Sequence, residues 1–138
     1  MNANANIKQF SLIKFINENC NDDHVISKIS IVLRRDKIEA PYYMITKIRL
    51  STCIDMPDNG VIHAMDILNH ARRHNLTEDT FNEIKSLIVD NDHESEQVKI
   101  SENDEQLKIV LMSKNYDEIQ DLFKYYGELF KKIDCLID

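Results

Sequence analysis

A chain of 138 residues, 43% hydrophobic and 30% charged, is long enough for one domain with its own core and needs no disulfide or metal staple. Its two glycines and two prolines, against roughly 10 and 7 at average usage, leave little room for tight turns and favour helix. They also exclude G-x-G-x-x-G and Walker-type phosphate loops. The net charge of −7 is distributed unevenly: residues 1–75 carry ten Lys/Arg and eight Asp/Glu (+2), residues 76–107 two against ten (−8), and residues 108–138 five against six (−1).

Residues 1–6 read as a polar, disordered tail, and 7–138 as a single α+β domain. The longest uninterrupted apolar run, Ile109 to Met112, is far too short for a membrane span, and no signal-type apolar stretch backs the tail. A cytoplasmic location is expected. Ile7 to Cys20 reads as a helix with Phe10, Ile13, Ile16 and Cys20 on one side and Leu12 close by; Ile7 and Phe15 stray from the stripe. From Asp22 to Arg35 the signals conflict. Val25, Ile26, Ile29, Ile31 and Val32 are β-branched, but Val25, Ile26, Ile29, Val32 and Leu33 share one helical arc of about 120°. With Asn21-Asp22-Asp23 at the start and Arg34-Arg35 at the end, as a helix dipole prefers, helix is the expectation.

After Pro41, Tyr42 to Cys53 alternates as a half-buried strand: Tyr42, Met44, Thr46, Ile48 and Leu50 against Lys47, Arg49 and Ser51. Met-Pro-Asp-Asn-Gly (56–60) is a turn. A helix is expected from about Gly60 to Asn75, capped by Asp58 or Asn59, with Val61, Ala64, Met65, Leu68 and Ala71 inward. The next helix starts at the N-cap Thr77, with Glu78 and Asp79 in its first turn and a Leu76/Phe81 hydrophobic staple. Phe81, Ile84, Leu87 and Ile88 form its inner face. The pair makes an αα-hairpin.

Past an acidic loop (91–96), Gln97–Ser101 and Gln106–Met112 read as a hairpin around Glu102-Asn103-Asp104-Glu105. Asn115 caps the last helix, with Glu118 placed to complete a capping box. Ile119, Leu122, Tyr126, Leu129, Ile133 and Leu136 follow at alternating spacings of three and four, an a/d stripe that suits a core helix or a homodimer seam. The expected fold is α+β, with about five helices, a small mostly antiparallel three-stranded sheet and a long amphipathic C-terminal helix.

Chemistry-bearing residues are sparse. His63, His70 and His74 share one face of the expected 60–75 helix, and His70 and His74 at i, i+4 have chelate spacing. Arg72 and Arg73 between them repel a cation, so a solvated polar face is expected and no metal. Cys20, Cys53 and Cys135 form no C-x-x-C pair and read as buried free thiols in a reducing compartment. Cys53 has no local base to make it a nucleophile. No catalytic residue and no cofactor is expected.

The two helices, hairpin and long helix follow the order of a winged-helix DNA-binding regulator with a C-terminal dimerisation helix. Its would-be recognition helix carries Glu78, Asp79, Glu83 and Asp90 against Lys85, and its wing tip is acidic, so nucleic acid is disfavoured. A weaker nucleic-acid reading uses the basic residues Lys28, Arg34, Arg35, Lys37, Lys47 and Arg49, offset by Asp36 and Glu39; a solvated surface is preferred there.

The remaining feature is the acidic block. Glu78, Asp79, Asp90, Asp92, Glu94, Glu96, Glu102, Asp104 and Glu105 are expected to converge on one exposed surface that binds a basic protein partner. Small immunity proteins, antitoxin-type inhibitors and secretion chaperones share this acidic, cofactor-free character. The helix–strands–helix–strands–helix order is similar to that of class I type III secretion chaperones, which implies dimerisation and capture of a segment of a secreted partner.

Overall fold

The structure, a computed structural model, describes residues 11–19, 24–35, 42–53, 62–91 and 95–137. These form α1 (Leu12–Asn19), β1 (His24–Arg35), β2 (Tyr42–Cys53), β3 (Ile62–Asn75), α2 (Glu78–Asp90), β4 (Val98–Glu102), β5 (Gln106–Met112), α3 (Tyr116–Tyr125) and α4 (Gly127–Ile137). The class is α+β. The sheet is antiparallel and five-stranded, in the order β3-β2-β1-β5-β4, rather than three-stranded. The two extra strands are segments whose sequence reads as helix.

β1 is the first correction. It is the central strand, paired with β2 on one side and β5 on the other. A bulge between Ile26 and Lys28 shifts its register, which reverses which face successive residues point to. Ile26 therefore shares the core face with Ile29, Ile31 and Leu33, all fully buried. The extra residue in an otherwise alternating run is what mimics helical spacing.

β3 is the second. Its helix-like stripe loses to a tertiary demand: β2 is twelve residues long, and the side of it away from β1 needs a partner for its backbone N–H and C=O groups. Leu76 N–H still donates to Tyr42 O at 3.1 Å past the end of the ladder. The expected αα-hairpin is thus a strand followed by a helix. The 56–60 turn and its caps Asp58 and Asn59 lie outside the described residues.

One face of the sheet is apolar. Ile29, Ile31 and Leu33 stand beside Met44, Thr46 and Ile48 on one side and Leu111, Ile109 and Leu107 on the other. The helices supply Leu12, Ile16, Phe81, Ile84, Ile88, Ile119, Phe123 and Phe130 to this single core. Each such side chain contributes roughly 1.5–3 kcal/mol by leaving water. On α1, Phe15 is half-buried against the core, inside the stripe from which its spacing set it apart.

α2 follows its sequence signals. Thr77 Oγ1 accepts from Thr80 N–H at 3.1 Å, and Glu78 and Asp79 complement the positive helix end. The β4–β5 hairpin is closed by Asn103, whose Oδ1 accepts from Glu105 N–H and Gln106 N–H, both at 2.9 Å.

The long terminal helix is broken. Tyr126 ends α3, and Gly127 begins α4. Glycine is a weak helix former, and the bend lets α3 lie on β1 while α4 meets α1 and α2. Asn115 does cap, with its Oδ1 accepting from Glu118 N–H at 3.1 Å. Glu118 reaches elsewhere: its Oε2 accepts from Ser113 Oγ at 2.9 Å and Gln97 Nε2 at 3.3 Å. A further tie has no counterpart in the sequence pattern. Asp134 of α4, buried, accepts from Leu12 N–H (2.8 Å), Ile13 N–H (3.1 Å) and Ser11 Oγ–H (3.1 Å), and so caps α1 from the far end of the chain.

Among the described residues no helix is long and apolar enough to cross a membrane.

Candidate functional site

Among the described residues, the acidic side chains fall into a corner cluster and more distant single positions. Glu78, Asp104 and Glu105 line one small crevice where the hairpin tip meets the first turn of α2, and Arg35 and Lys85 line it too. Glu102 sits beside it, its Oε2 2.9 Å from Lys85 Nζ. This exposed pair is worth little in stability, but it offsets part of the corner's negative charge. Asp79 is exposed on the same turn. Asp90 is at the other end of α2, twelve residues or about 18 Å away at 1.5 Å per residue, in a groove with Leu87, Lys131, Lys132, Cys135 and Leu136. Glu96, two residues before β4, lines the groove beside that strand. Asp92 and Glu94 lie outside the described residues.

β4 is an edge strand, and its register shows which backbone groups are free. Met112 N–H donates to Gln97 O and Asn103 N–H to Gln106 O, both at 2.9 Å. With the pairing Val98↔Leu111 through Glu102↔Leu107, Lys99 and Ser101 bond inward to β5. Ile100 and Glu102 turn their N–H and C=O groups outward, where no described residue meets them. A groove of about 940 Å³ runs along this edge, lined by Val89, Glu96, Val98, Ile100, Glu102 and Leu107. Val89, at the end of α2, is 45% exposed.

The other face of the sheet has a different character. The register places Lys28, Ser30, Val32 and Arg34 of β1 beside Arg49, Lys47, Ile45 and Tyr43 of β2. Lys108 and Val110 of β5 continue the face, as do Ala71 and Arg73 of β3 and Lys99 of β4. Every charged residue just named is a cation. Val32, Ile45 and Val110 are half-buried and take no part in the core. The basic residues Lys28, Arg34, Lys47 and Arg49, separated in sequence, are therefore brought together. Arg35 points away to the acidic corner, 5.9 Å from the Tyr42 ring centroid. Lys37, Asp36 and Glu39 lie outside the described residues.

The histidine constellation changes with its element. On β3, His70 and His74 are four strand residues apart, about 13 Å rather than one helical turn, so they cannot chelate one ion as an i, i+4 pair. His70 instead meets the Phe15 ring edge-on at 4.9 Å. The His63 side chain lies outside the described residues. So do Cys20 and the Cys53 side chain, while Cys135 is an exposed free thiol rather than a buried one.

Of the terminal stripe, Ile119, Leu122, Tyr126, Leu129 and Ile133 are buried within the single chain, and Leu136 is half-buried. No family model, curated protein or solved structure matches this chain.

Proposed function

We propose that the protein is a stoichiometric protein-binding factor, an inhibitor, immunity- or antitoxin-like protein or small secretion chaperone, that masks a surface of its partner in the cytoplasm. The observation that carries the reading is the free edge of β4. An extended basic segment of the partner would add to Ile100 and Glu102 as a further strand, set its apolar side chains against Val89 and Val98, and meet Glu96, Glu102 and the Glu78/Asp104/Glu105 corner. The edge of β3 is a poorer template for a basic segment, because Arg72 and Arg73 lie on that strand and carry the same sign.

Within this class the order helix, three strands, helix, two strands, helices favours the likeness to secretion chaperones. The winged-helix alternative loses its main support, since residues 62–75 are a strand. Self-association belongs to the same proposal. A second copy would meet the α2–α4 groove, where Leu136 remains partly exposed.

The test begins with capture of the partner from native lysate, with and without nuclease. Glu102→Pro removes an outward N–H and leaves every β4–β5 bond in place. It should weaken binding at least tenfold, well beyond Glu102→Gln. Undiminished binding by the proline variant would remove strand addition. Reversing Glu102, Asp104 and Glu105 to Lys should slow association about tenfold at low salt.

A further inference from the structure

We propose that the open face of the sheet is a receptor for a short acidic segment of a partner protein, a second binding surface that does not depend on the β4 edge. Its centre is a trough of about 460 Å³ lined by Lys28, Lys47, Arg49 and Lys108 around Ser30, Val32 and Ala71. Ser30, 4% exposed, and Ala71 are small, so the floor lies close to the backbone while longer cationic side chains rise around it.

Among the described residues, folding gives no reason for this arrangement. Lys28 and Arg49 stand directly opposite each other, and like charges in that position are destabilising. The chain has 24 acidic residues against 17 Lys and Arg, so carboxylates to intersperse are plentiful. Lys28, Arg34, Lys47, Lys99 and Lys108 form no ion pair among the described residues. Arg49 is held in place by its own neighbour, Nε–H donating to Ser27 Oγ at 3.1 Å. The result is a fixed array of positive charge on an otherwise acidic protein, and the complementary ligand is an anion.

Spacing and texture select the kind of anion. Positions two apart on a strand, such as Lys47 and Arg49, are about 6.8 Å apart, and neighbouring strands about 4.8 Å apart. An extended peptide with a carboxylate at every second residue has the same repeat. Val32, Ile45 and Val110 lie between the cations and suit the apolar side chains of such a peptide.

Nucleic acid fits less well. Single-stranded binding relies on free aromatic platforms, and the guanidinium of Arg73 already covers Tyr43, 4.0 Å from its ring centroid. Five strands span only about 20 Å. A longer polyanion would run past this face onto a body whose net charge is −7.

The test uses the full-length protein and a fluorescein-labelled decapeptide in which Glu alternates with Val and Ser, read by anisotropy at about 50 mM salt, where screening is weak. A peptide with Lys in place of Glu is the control. The acidic peptide should bind, the control should not, and raising salt to about 300 mM should weaken binding several-fold. Lys28→Glu/Lys47→Glu/Lys108→Glu should reduce affinity at least tenfold, and Glu102→Gln should leave it unchanged.

Should the reversed variant fail to fold, the Lys→Gln triple variant should still lose several-fold. Carbodiimide cross-linking of the wild-type complex should join the peptide to Lys28, Lys47 or Lys108. No binding at low salt, cross-links confined to other lysines, or undiminished binding by the folded triple variants would overturn the proposal. A 20-nucleotide single strand or 20-base-pair duplex that binds more tightly than the peptide through the same lysines would overturn it in favour of nucleic acid. Concentration-dependent self-association abolished by the lysine changes, without peptide binding, would overturn it in favour of a second copy.

Discussion

The two faces of the sheet are built from the same strands and differ in what folding asks of them. On the covered face, Ile29, Ile31 and Leu33 meet Leu111, Ile109 and Leu107, all at 0–1% exposure. Apolar atoms are obligatory there, because a buried polar group without a partner costs several kcal/mol. On the open face, Lys28, Lys47 and Lys108 reach solvent, and folding does not call for cations there: Lys28 faces the like charge of Arg49. The covered face therefore reports on the fold. The open face reports on what the protein meets.

The largest expected effect comes from placing the open face's chemistry in the core. Leu129→Asp puts a carboxylate where the side chain is 3% exposed and should abolish the folded state, seen as loss of far-ultraviolet ellipticity and of cooperative unfolding. A folded monomer would instead assign Leu129 to a homodimer seam. Next is a matched pair. Ile109→Ala on the covered face should cost about 2–5 kcal/mol in urea unfolding, whereas Val32→Ala on the open face should cost under about 1 kcal/mol. Equal losses would mean that the open face is also packed.

Asp134→Ala should cost about 1–3 kcal/mol by leaving Leu12 N–H, Ile13 N–H and Ser11 Oγ without their acceptor. Hydrogen exchange should then accelerate first in α1. The smallest effect should be a gain. A Cβ on Gly127 meets nothing within 4 Å, so Gly127→Ala should stabilise by up to about 1 kcal/mol. A loss would show that the bend between α3 and α4 needs glycine for more than its low helix propensity.

The legible elements were those whose signals are local. Thr77 and Asn115 cap by bonds that span three residues, and β2 alternates without interruption. The hairpin at Asn103 closes on its own side chain. Where the outcome depended on distant partners, local reading failed. The bulge in β1 imitates a helix, and β3 became a strand because β2 had an edge to fill. Glu118 found Ser113 and Gln97 rather than its own cap. Asp134 gives no local sign of capping a helix more than 120 residues away.

The candidate sites divide in the same way. The acidic block is continuous in sequence, but α2 carries its two ends apart. The basic residues are scattered in sequence, and Lys108, Lys99 and Arg73 joined Lys28, Lys47 and Arg49 only through strand pairing.

Composition, caps and alternation by themselves determined that this is an α+β chain with unevenly distributed charge and an apolar terminal stripe. Tertiary structure alone decided which strands neighbour which, and hence which charges share a face. The reason is geometric. Side chains alternate every residue along a strand, so a pairing partner and one bulge are enough to set the company each residue keeps, and neither is written within reach of the residue itself.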